Sequence, residues 1–287
     1  MSKQSIRFYH DHEVRAIWDE ERSKWWFSVL DIVEAITESV NPRKYWSVLK
    51  SRLKKSGNEL TTRCSQLKLT AADGKKYATD CFIQDDIMEV VKIIPSKKTS
   101  EFLEWFTYSD NTIDGRSKKK AYTFIESNLV ADKDIGTVKA LQQIHAYIFG
   151  GLYDFAGKIR TKTISKGNTL FCLAEYLPLN LKTIEQMPEN TFDEIVAKYV
   201  EMNVAHPFME GNGRSTRIWL DLIFKKRLGM CVDWSKIDKN EYLSAMVESQ
   251  TDSSHIRSLL EQALTNQIDD REIFMKGIDY SYYYEQE

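Results

Sequence analysis

The sequence contains no long hydrophobic run. No apolar stretch in its 287 residues approaches the roughly 18 residues that a bilayer-spanning helix needs. Its first residues lead directly into an alternating, strand-like segment and include no apolar signal-peptide core. We therefore expect a cytoplasmic protein without a membrane-inserted segment.

Cysteine is also scarce. The four cysteines form no CxxC pair and have no histidine nearby at ligand spacing, which argues against a zinc site or a disulfide framework. No internal repeat or low-complexity tract appears, and 42% hydrophobic and 29% charged residues are typical of a globular protein. The length suits one large domain or two of ordinary size.

The N-terminal region predicts a mixed α+β domain. Residues 13–19 and 24–29 alternate or are rich in aromatic and β-branched residues, which indicates a hairpin. Residues 28–38 have helical periodicity, and Asn41 followed by Pro42 indicates the start of a second helix. A second hairpin is expected over residues 66–79, with Asp73 and Gly74 at its turn, before two short helices separated by Pro95.

Positive charge is concentrated in this region. Residues 43–76 contain ten basic and only two acidic residues, although the whole chain has a net charge of −2. Such an excess is compatible with nucleic-acid binding, and equally with an ordinary solvated surface.

A change of character follows residues 114–120, which are polar, basic and glycine-bearing. We interpret them as a boundary between a domain over residues 1–112 and a second over residues 118–287. The second domain is expected to be mainly helical, over residues 134–149, 191–204, 214–227, 239–247 and 253–268. Residues 162–173 lack helical periodicity and are expected to form a β-hairpin, called the flap below.

The segment HPFMEGNGRSTR at residues 206–217 has the residues required for chemistry on a phosphate ester. Glycines before a helix allow main-chain amides to approach an anion, and the helix N-terminus favours negative charge. Arg214 and Arg217 lie one turn apart and can bind phosphate oxygens. Glu210 is a suitable Mg²⁺ ligand, and His206 can accept a proton from a hydroxyl. Together they predict phosphoryl or nucleotidyl transfer.

This segment resembles the signature of the Fic family, HxFx(D/E)GNGRxxR, at every specified position. The resemblance extends over about residues 118–287 and implies a helical Fic domain with a β-hairpin flap. It implies a protein adenylyltransferase that uses ATP and Mg²⁺ to transfer AMP to a Ser, Thr or Tyr hydroxyl of a target protein. Gly213 differs from the lysine of Doc-type phosphotransferase relatives, which favours adenylyl transfer.

The same resemblance implies roles for individual residues. His206 would be the general base, and Glu210 would hold Mg²⁺. Arg214 would contact the phosphates and Arg217 the γ-phosphate. The target would dock on the flap by strand addition. The residues that would line the anion hole are Gly211, Asn212 and Gly213.

The C-terminal residues can be interpreted in two ways. A polar, aromatic tail is often a frayed terminus. Members of the Fic family, however, often carry an inhibitory helix with the pattern (S/T)xxxE(G/N), which Ser281 and Glu285 match, although Gln286 replaces the usual Gly or Asn. In this interpretation Glu285 pairs with Arg217 and blocks the γ-phosphate site. In relatives of this class the inhibition is linked to self-association, so a homo-oligomer is expected.

The N-terminal domain resembles the Bro-type N-terminal domain of phage and bacterial regulators, through VRAIW at 14–18, WWFSV at 25–29 and Tyr45-Trp46. That family is associated with DNA binding; docking of the target protein is the competing interpretation. The leading hypothesis is thus an adenylyltransferase inhibited by Glu285. The alternative is a DNA-binding regulator with a silent or autoregulatory Fic domain.

Overall fold

The N-terminal region is built on a five-stranded antiparallel sheet. A computed structural model describes residues 3–19, 21–71, 74–127, 134–167 and 169–286. The chain divides into two compact units, Met1–Thr112 and Ile113–Glu287. The strands of the first unit have the order β1-β2-β3-β5-β4. Its elements are β1 (Lys3–Tyr9), β2 (His12–Asp19), β3 (Lys24–Ser28), α1 (Val29–Thr37), α2 (Pro42–Lys55), β4 (Ser65–Thr70), β5 (Lys76–Ile83), α3 (Gln84–Ile93) and α4 (Thr99–Tyr108).

Local sequence signals predict this unit well. Strands β2–β3 and β4–β5 pair as the two expected hairpins, although Glu20 and Asp73 of their turns lie outside the described residues. Asn41 caps α2 by accepting a hydrogen bond from the Lys44 amide at 3.0 Å, and Pro42 is the first helical residue. Phe27 and Phe82, paired across β3 and β5, belong to the core beneath the helices.

The second unit is mainly helical. Its elements are α5 (Ile113–Ser127), α6 (Val138–Phe149), β6 (Ser165–Lys166), β7 (Thr169–Leu170), α7 (Leu177–Gln186), α8 (Phe192–Ala205), α9 (Asn212–Leu228), β8 (Cys231–Val232), α10 (Lys239–Glu248), α11 (Ser254–Ala263), β9 (Leu264–Thr265) and α12 (Arg271–Tyr283). Helices α6, α8 and α9 pack on one hydrophobic core that includes the fully buried Trp219 and Tyr199. Thr191 and Glu194 form a capping box at the start of α8.

The linker interpretation of residues 114–120 is wrong, because these residues lie in α5. The buried face of that helix is formed by Ser117, Ala121 and Phe124. These three residues have helical spacing. Because two of them are small and the residues between them are mostly polar and basic, the sequence has no strong apolar periodicity that would indicate a helix. The second unit consequently begins at residue 113 rather than 118.

Other boundaries differ more modestly. Helix α7 was not anticipated, and α9 begins at Asn212, two residues before the expected start. Helix α11 ends at Ala263 because Leu264 and Thr265 pair with β8 instead of continuing the helix.

Among the helices of the described part of the chain, none has both the length and the apolar character needed to cross a membrane.

Candidate active site

The loop between α8 and α9 is held in shape by its own side chains. The side-chain amide of Asn212 donates to the Phe208 carbonyl, and its oxygen accepts from the Phe208 amide, both at 2.8 Å. Asn212 is 3% exposed, so it fixes the loop rather than facing a ligand. Phe208 is buried and stacks on His145 with ring centroids 3.8 Å apart. The loop is therefore fixed before any ligand binds.

Two glycines of this loop are required for different reasons. Gly211 has φ +79° and packs so closely on Phe149 that a Cβ atom would lie 2.4 Å from its ring. Gly213, in the first turn of α9, faces Glu285: a Cβ atom there would lie 2.1 Å from its Oε1 atom. The carboxylate of Glu285 therefore lies directly over the glycine end of the helix, where an anion is favoured.

His206 ends α8 in a left-handed conformation, with φ 48°. Its Nδ1 atom lies 3.1 Å from the Asn203 carbonyl, which can only accept, so Nδ1 carries the proton and Nε2 has the free electron pair. The ring stacks on Phe171 of the flap at a centroid distance of 3.6 Å. Burial lowers the pKa of His206 to about 4. The imidazole is therefore neutral at physiological pH and suited to act as a base.

Arg217 lies at the centre of the contacts with α12. It is 2% exposed, and its guanidinium donates to the Ser281 hydroxyl at 2.7 Å, the Ser281 carbonyl at 2.6 Å and Glu285 Oε1 at 2.6 Å. It also donates to the Tyr242 hydroxyl at 3.1 Å, which in turn bonds Tyr199 at 2.6 Å. Burial alone would raise the pKa of Glu285, but the charge and hydrogen bond of Arg217 outweigh it and lower that pKa to about 2.

The C-terminal segment is packed rather than frayed. Tyr284 is 1% exposed, and its hydroxyl lies 2.8 Å from the carbonyls of both Trp234 and Ile237. Its ring stacks on Tyr242 at 4.8 Å. These contacts fix the position of Tyr284, which directly precedes Glu285. The packing of the C-terminal residues therefore places the Glu285 carboxylate over α9.

Arg214 has different partners from Arg217. It donates to Glu210 Oε1 at 2.9 Å and to the carboxylate of Asp114, and its guanidinium lies 4.9 Å from the Phe149 ring. The Asp114 contact was missed by sequence analysis, because Asp114 had been assigned to a linker. The Glu210 side chain is 55% exposed, and one of its oxygens also accepts from the Gly211 amide at 3.0 Å.

Two further residues organise the site and were not predicted to do so. The buried Arg160 donates to the His206 carbonyl at 2.7 Å, to Ala205 at 3.0 Å, and to the flap carbonyls of Lys162 at 2.6 Å and Cys172 at 2.5 Å. It thus connects both ends of the flap with the end of α8.

His145 is the second such residue. Its Nδ1 atom accepts from the Gly157 amide and its Nε2 atom donates to the Glu210 carbonyl, both at 2.8 Å. These contacts make His145 a structural residue of the site. Helical periodicity places it on the apolar face of α6, but its two partners are distant in the chain and have no signature in the local sequence.

The flap contains β6 and β7, which pair through Ser165–Leu170 and Lys166–Thr169; Asn168 of its turn lies outside the described residues. The Cys172 amide donates to the Val204 carbonyl of α8 at 3.1 Å. Lys166 Nζ lies 3.6 Å from Glu285 Oε2. One carboxylate therefore contacts both α9 and the flap.

Part of the second unit is similar in sequence to known proteins. Residues 136–224 match the model of the Fic/DOC family. These residues form a Fic/DOC domain. Protein adenylyltransferase VbhT of Bartonella schoenbuchensis is 31% identical over 133 residues, which cover 42% of this chain and 27% of VbhT. Probable protein adenylyltransferase y4lH of Sinorhizobium fredii is 30% identical over 130 residues, which cover 41% of this chain and 66% of y4lH.

The matched region is thus between about a quarter and two thirds of the length of these relatives. Among solved structures, this chain is similar to BepC of Bartonella tribocorum, with bound AMPPNP, at 19% identity and a TM-score of 0.45. That similarity covers 53% of this chain and 84% of BepC. The FIC domain of Bep8 from Bartonella sp. 1-1C has 17% identity and a TM-score of 0.48, and the similarity covers 62% of this chain and 91% of that domain's chain.

Proposed function

We propose that the Fic/DOC domain transfers AMP from ATP to a Ser, Thr or Tyr hydroxyl of a target protein. The observation that carries this proposal is a neutral His206, with an unprotonated Nε2, beside a helix N-terminus that carries Gly213 and Arg217. The names of the relatives, which are protein adenylyltransferases, support the same chemistry.

In this reaction Nε2 of His206 accepts the proton of the target hydroxyl. The oxygen then forms a bond to the α-phosphorus, and the bond from that phosphorus to the bridging oxygen of the β-phosphate breaks. Pyrophosphate leaves with the electron pair. The amide end of α9 and the guanidinium groups of Arg214 and Arg217 stabilise the negative charge on the phosphates.

Glu210 is the residue whose position fits a Mg²⁺ ion. Its side chain is 55% exposed and lies in the loop between α8 and α9. Mg²⁺ in nucleotide sites is usually bound by one or two carboxylates, and phosphate oxygens and water complete its coordination shell. The described residues contain no group of three or more His, Cys, Asp or Glu side chains that could hold a metal alone. When bound with ATP, the ion would supply charge neutralisation at the phosphates.

We further propose that Glu285 inhibits the reaction by occupying the place of a phosphate. Its carboxylate pairs with Arg217 at 2.6 Å and lies over Gly213. An anionic phosphate and an anionic carboxylate cannot share these partners, so ATP would have to bind displaced, with its α-phosphate out of line for attack. Ser281 would strengthen the inhibition through its two contacts with the same guanidinium.

Incubation with α-labelled ATP, Mg²⁺ and a cell lysate tests both proposals. Glu285→Gly should label lysate proteins much faster than the unmodified chain, and adding His206→Ala should abolish the labelling. Gln286→Gly is the matched control, because its exposed side chain lies next to Glu285 but does not contact Arg217. Equal rates for the unmodified chain and Glu285→Gly would refute the inhibition, and no labelling by either would refute the transferase.

A second function, DNA binding by the N-terminal unit, is favoured by one observation. Helix α2 has no acidic residue, and five of its basic residues are exposed: Arg43, Lys44, Arg52, Lys54 and Lys55. Of the other basic residues in this region, Lys50 and Arg63 are neutralised by ion pairs with Asp80 and Asp86. The surface of α2 would bind the DNA backbone without reading its sequence.

Fluorescence anisotropy of the full chain with a labelled duplex tests this function. Binding should weaken steeply with salt, and Lys54→Glu/Lys55→Glu should reduce it, whereas the exposed Lys92→Glu on α3 should not. If the α2 variant keeps its duplex affinity but loses labelling of lysate proteins, α2 is a docking surface for target proteins instead.

A further inference from the structure

The flap and the residues before it have charge of one sign only. Residues 158–173 contain four basic and no acidic residues. Arg160 is buried and its donors are taken by backbone carbonyls. Lys158, Lys162 and Lys166 are exposed, so three positive charges lie on the surface of this segment.

This segment also adjoins the catalytic base. Phe171, next to β7, stacks on the His206 ring, and the Cys172 amide bonds to α8. Within the part of the chain that the structure describes, β6 pairs only with β7, so its other edge has no neighbouring strand. A target segment that pairs with this edge of β6 would lie near the lysines and close to His206.

One lysine of the segment, Lys166, forms an ion pair with a carboxylate of the chain itself. Lys166 lies 3.6 Å from Glu285 Oε2, while the other oxygen of the same carboxylate contacts Arg217. With its side chain 70% exposed, Lys166 remains open to a partner from solvent.

Three large hydrophobic side chains in or next to this segment are also exposed. Leu170 and Tyr176 are 59% and 58% exposed, and Leu173 is 37% exposed, although each is a large hydrophobic side chain. The nearest acids along the chain are Asp154 and Glu175, both exposed. Among the described residues, neither forms an ion pair with these lysines. Glu285 does pair with Lys166 but leaves that side chain 70% exposed, so a local excess of positive charge remains.

From these observations we propose that the flap selects target segments in which acidic residues flank the hydroxyl to be modified. The inference rests on the proposed adenylyl transfer and specifies its substrate class. Lys158, Lys162 and Lys166 are the specificity determinants, and Leu170 and Tyr176 provide apolar contact beside them. Exposed ion pairs are individually weak and screened by salt, so selection comes from several of them together.

Short fluorescein-labelled peptides test the inference with the full-length Glu285→Gly protein. Three peptides share a central Ser-Thr-Tyr sequence and differ only in flanking residues, which are Glu, Gln or Lys. Binding is measured by anisotropy with AMPPNP present, and AMP transfer is measured separately with α-labelled ATP. We expect the Glu peptide to bind about tenfold more tightly than the Lys peptide at low salt, and the difference to shrink as salt rises.

Charge reversal provides the decisive comparison. Lys158→Glu/Lys162→Glu/Lys166→Glu should reverse the preference in favour of the Lys peptide, a gain that misfolding cannot produce. Lys182→Glu, an exposed change on α7, should leave the order unchanged. Equal binding of the three peptides, or no binding of any, would overturn the inference, whatever the transfer assay shows. Selective binding without AMP transfer would instead contradict the proposed function and leave the acidic preference standing.

Discussion

Two histidines of the second unit, His145 and His206, have similar ring contacts. His145 is fully buried and His206 is partly buried, and desolvation lowers the pKa of each to about 4. Each ring stacks on a phenylalanine, His145 on Phe208 at 3.8 Å and His206 on Phe171 at 3.6 Å. Neither the pKa nor the aromatic packing distinguishes the proposed base from its structural counterpart.

The hydrogen bonds distinguish them. Both ring nitrogens of His145 have backbone partners, the Gly157 amide and the Glu210 carbonyl. Among the described residues, His206 has a hydrogen-bond partner only at Nδ1, the Asn203 carbonyl. A neutral imidazole can accept a proton only through a nitrogen whose electron pair is available, so only His206 can act as a base in this arrangement.

The largest expected effect is the loss of activity in His206→Ala. In the Glu285→Gly background, we expect AMP transfer to fall by about 10²- to 10⁴-fold, the usual contribution of a general base. Thermal unfolding should change far less than activity, because the substitution removes one hydrogen bond to a backbone carbonyl and the stacking on Phe171. A variant that transfers AMP at the same rate would exclude His206 as the base.

His145→Ala should show the opposite pattern. The change leaves the Gly157 amide and the Glu210 carbonyl without partners, at about 1–3 kcal/mol for each buried group. Unfolding in urea should therefore occur at clearly lower concentration, and His145→Gln, which retains a donor and an acceptor, should recover part of the stability. If His145→Ala unfolds normally yet has lost all transfer activity, the assignment of the two histidines must be reversed.

The pH dependence of kcat/KM tests the lowered pKa of His206. Since the neutral ring is the active form, activity should persist from pH 8 to about 5 instead of declining near 6.5. Over the same interval the unfolded histidines take up protons that the buried rings do not, so the free energy of unfolding should decrease as pH falls. Circular dichroism at each pH separates this loss of stability from titration of the base.

The smallest effect is expected for Phe171→Ala, which exposes the His206 ring. With less burial, the pKa of His206 should rise towards its ordinary value of 6.5, and the acidic limb of the pH profile should move with it. The rate at pH 8 should fall only a few-fold. NMR titration of His206 in the full chain gives the same quantity directly, and an unchanged pKa would show that Phe171 does not control it.

The parts of the site that are contiguous in the chain can be predicted from the sequence. Residues 206–217 are a loop and a helix start, and their spacing alone brings Glu210 and Arg214 to within one turn of each other, as the 2.9 Å contact confirms. The cap at Asn41 and the capping box at Thr191 are local for the same reason. Such features depend on neighbouring residues and can be inferred without a tertiary structure.

Contacts between distant residues could not be inferred in this way. Asp114 reaches Arg214 from 100 positions away, and only the packing of α5 brings them together. The Tyr199–Tyr242 pair behind Arg217 joins α8 to α10 and has no signature in spacing or composition. Nothing in the local sequence around Arg160 predicts its hydrogen bonds to α8 and to both ends of the flap.

Arg160 has a consequence for how this protein is studied by mutagenesis. Its guanidinium joins both ends of the flap and the carbonyl of His206 through four hydrogen bonds, none to a carboxylate. The flap and His206 are therefore held together by neutral backbone acceptors, on which ionic strength has little effect. An alanine scan that measures only product formation will therefore make Arg160 look like a catalytic residue, although its role is to fix the position of the flap relative to the end of α8.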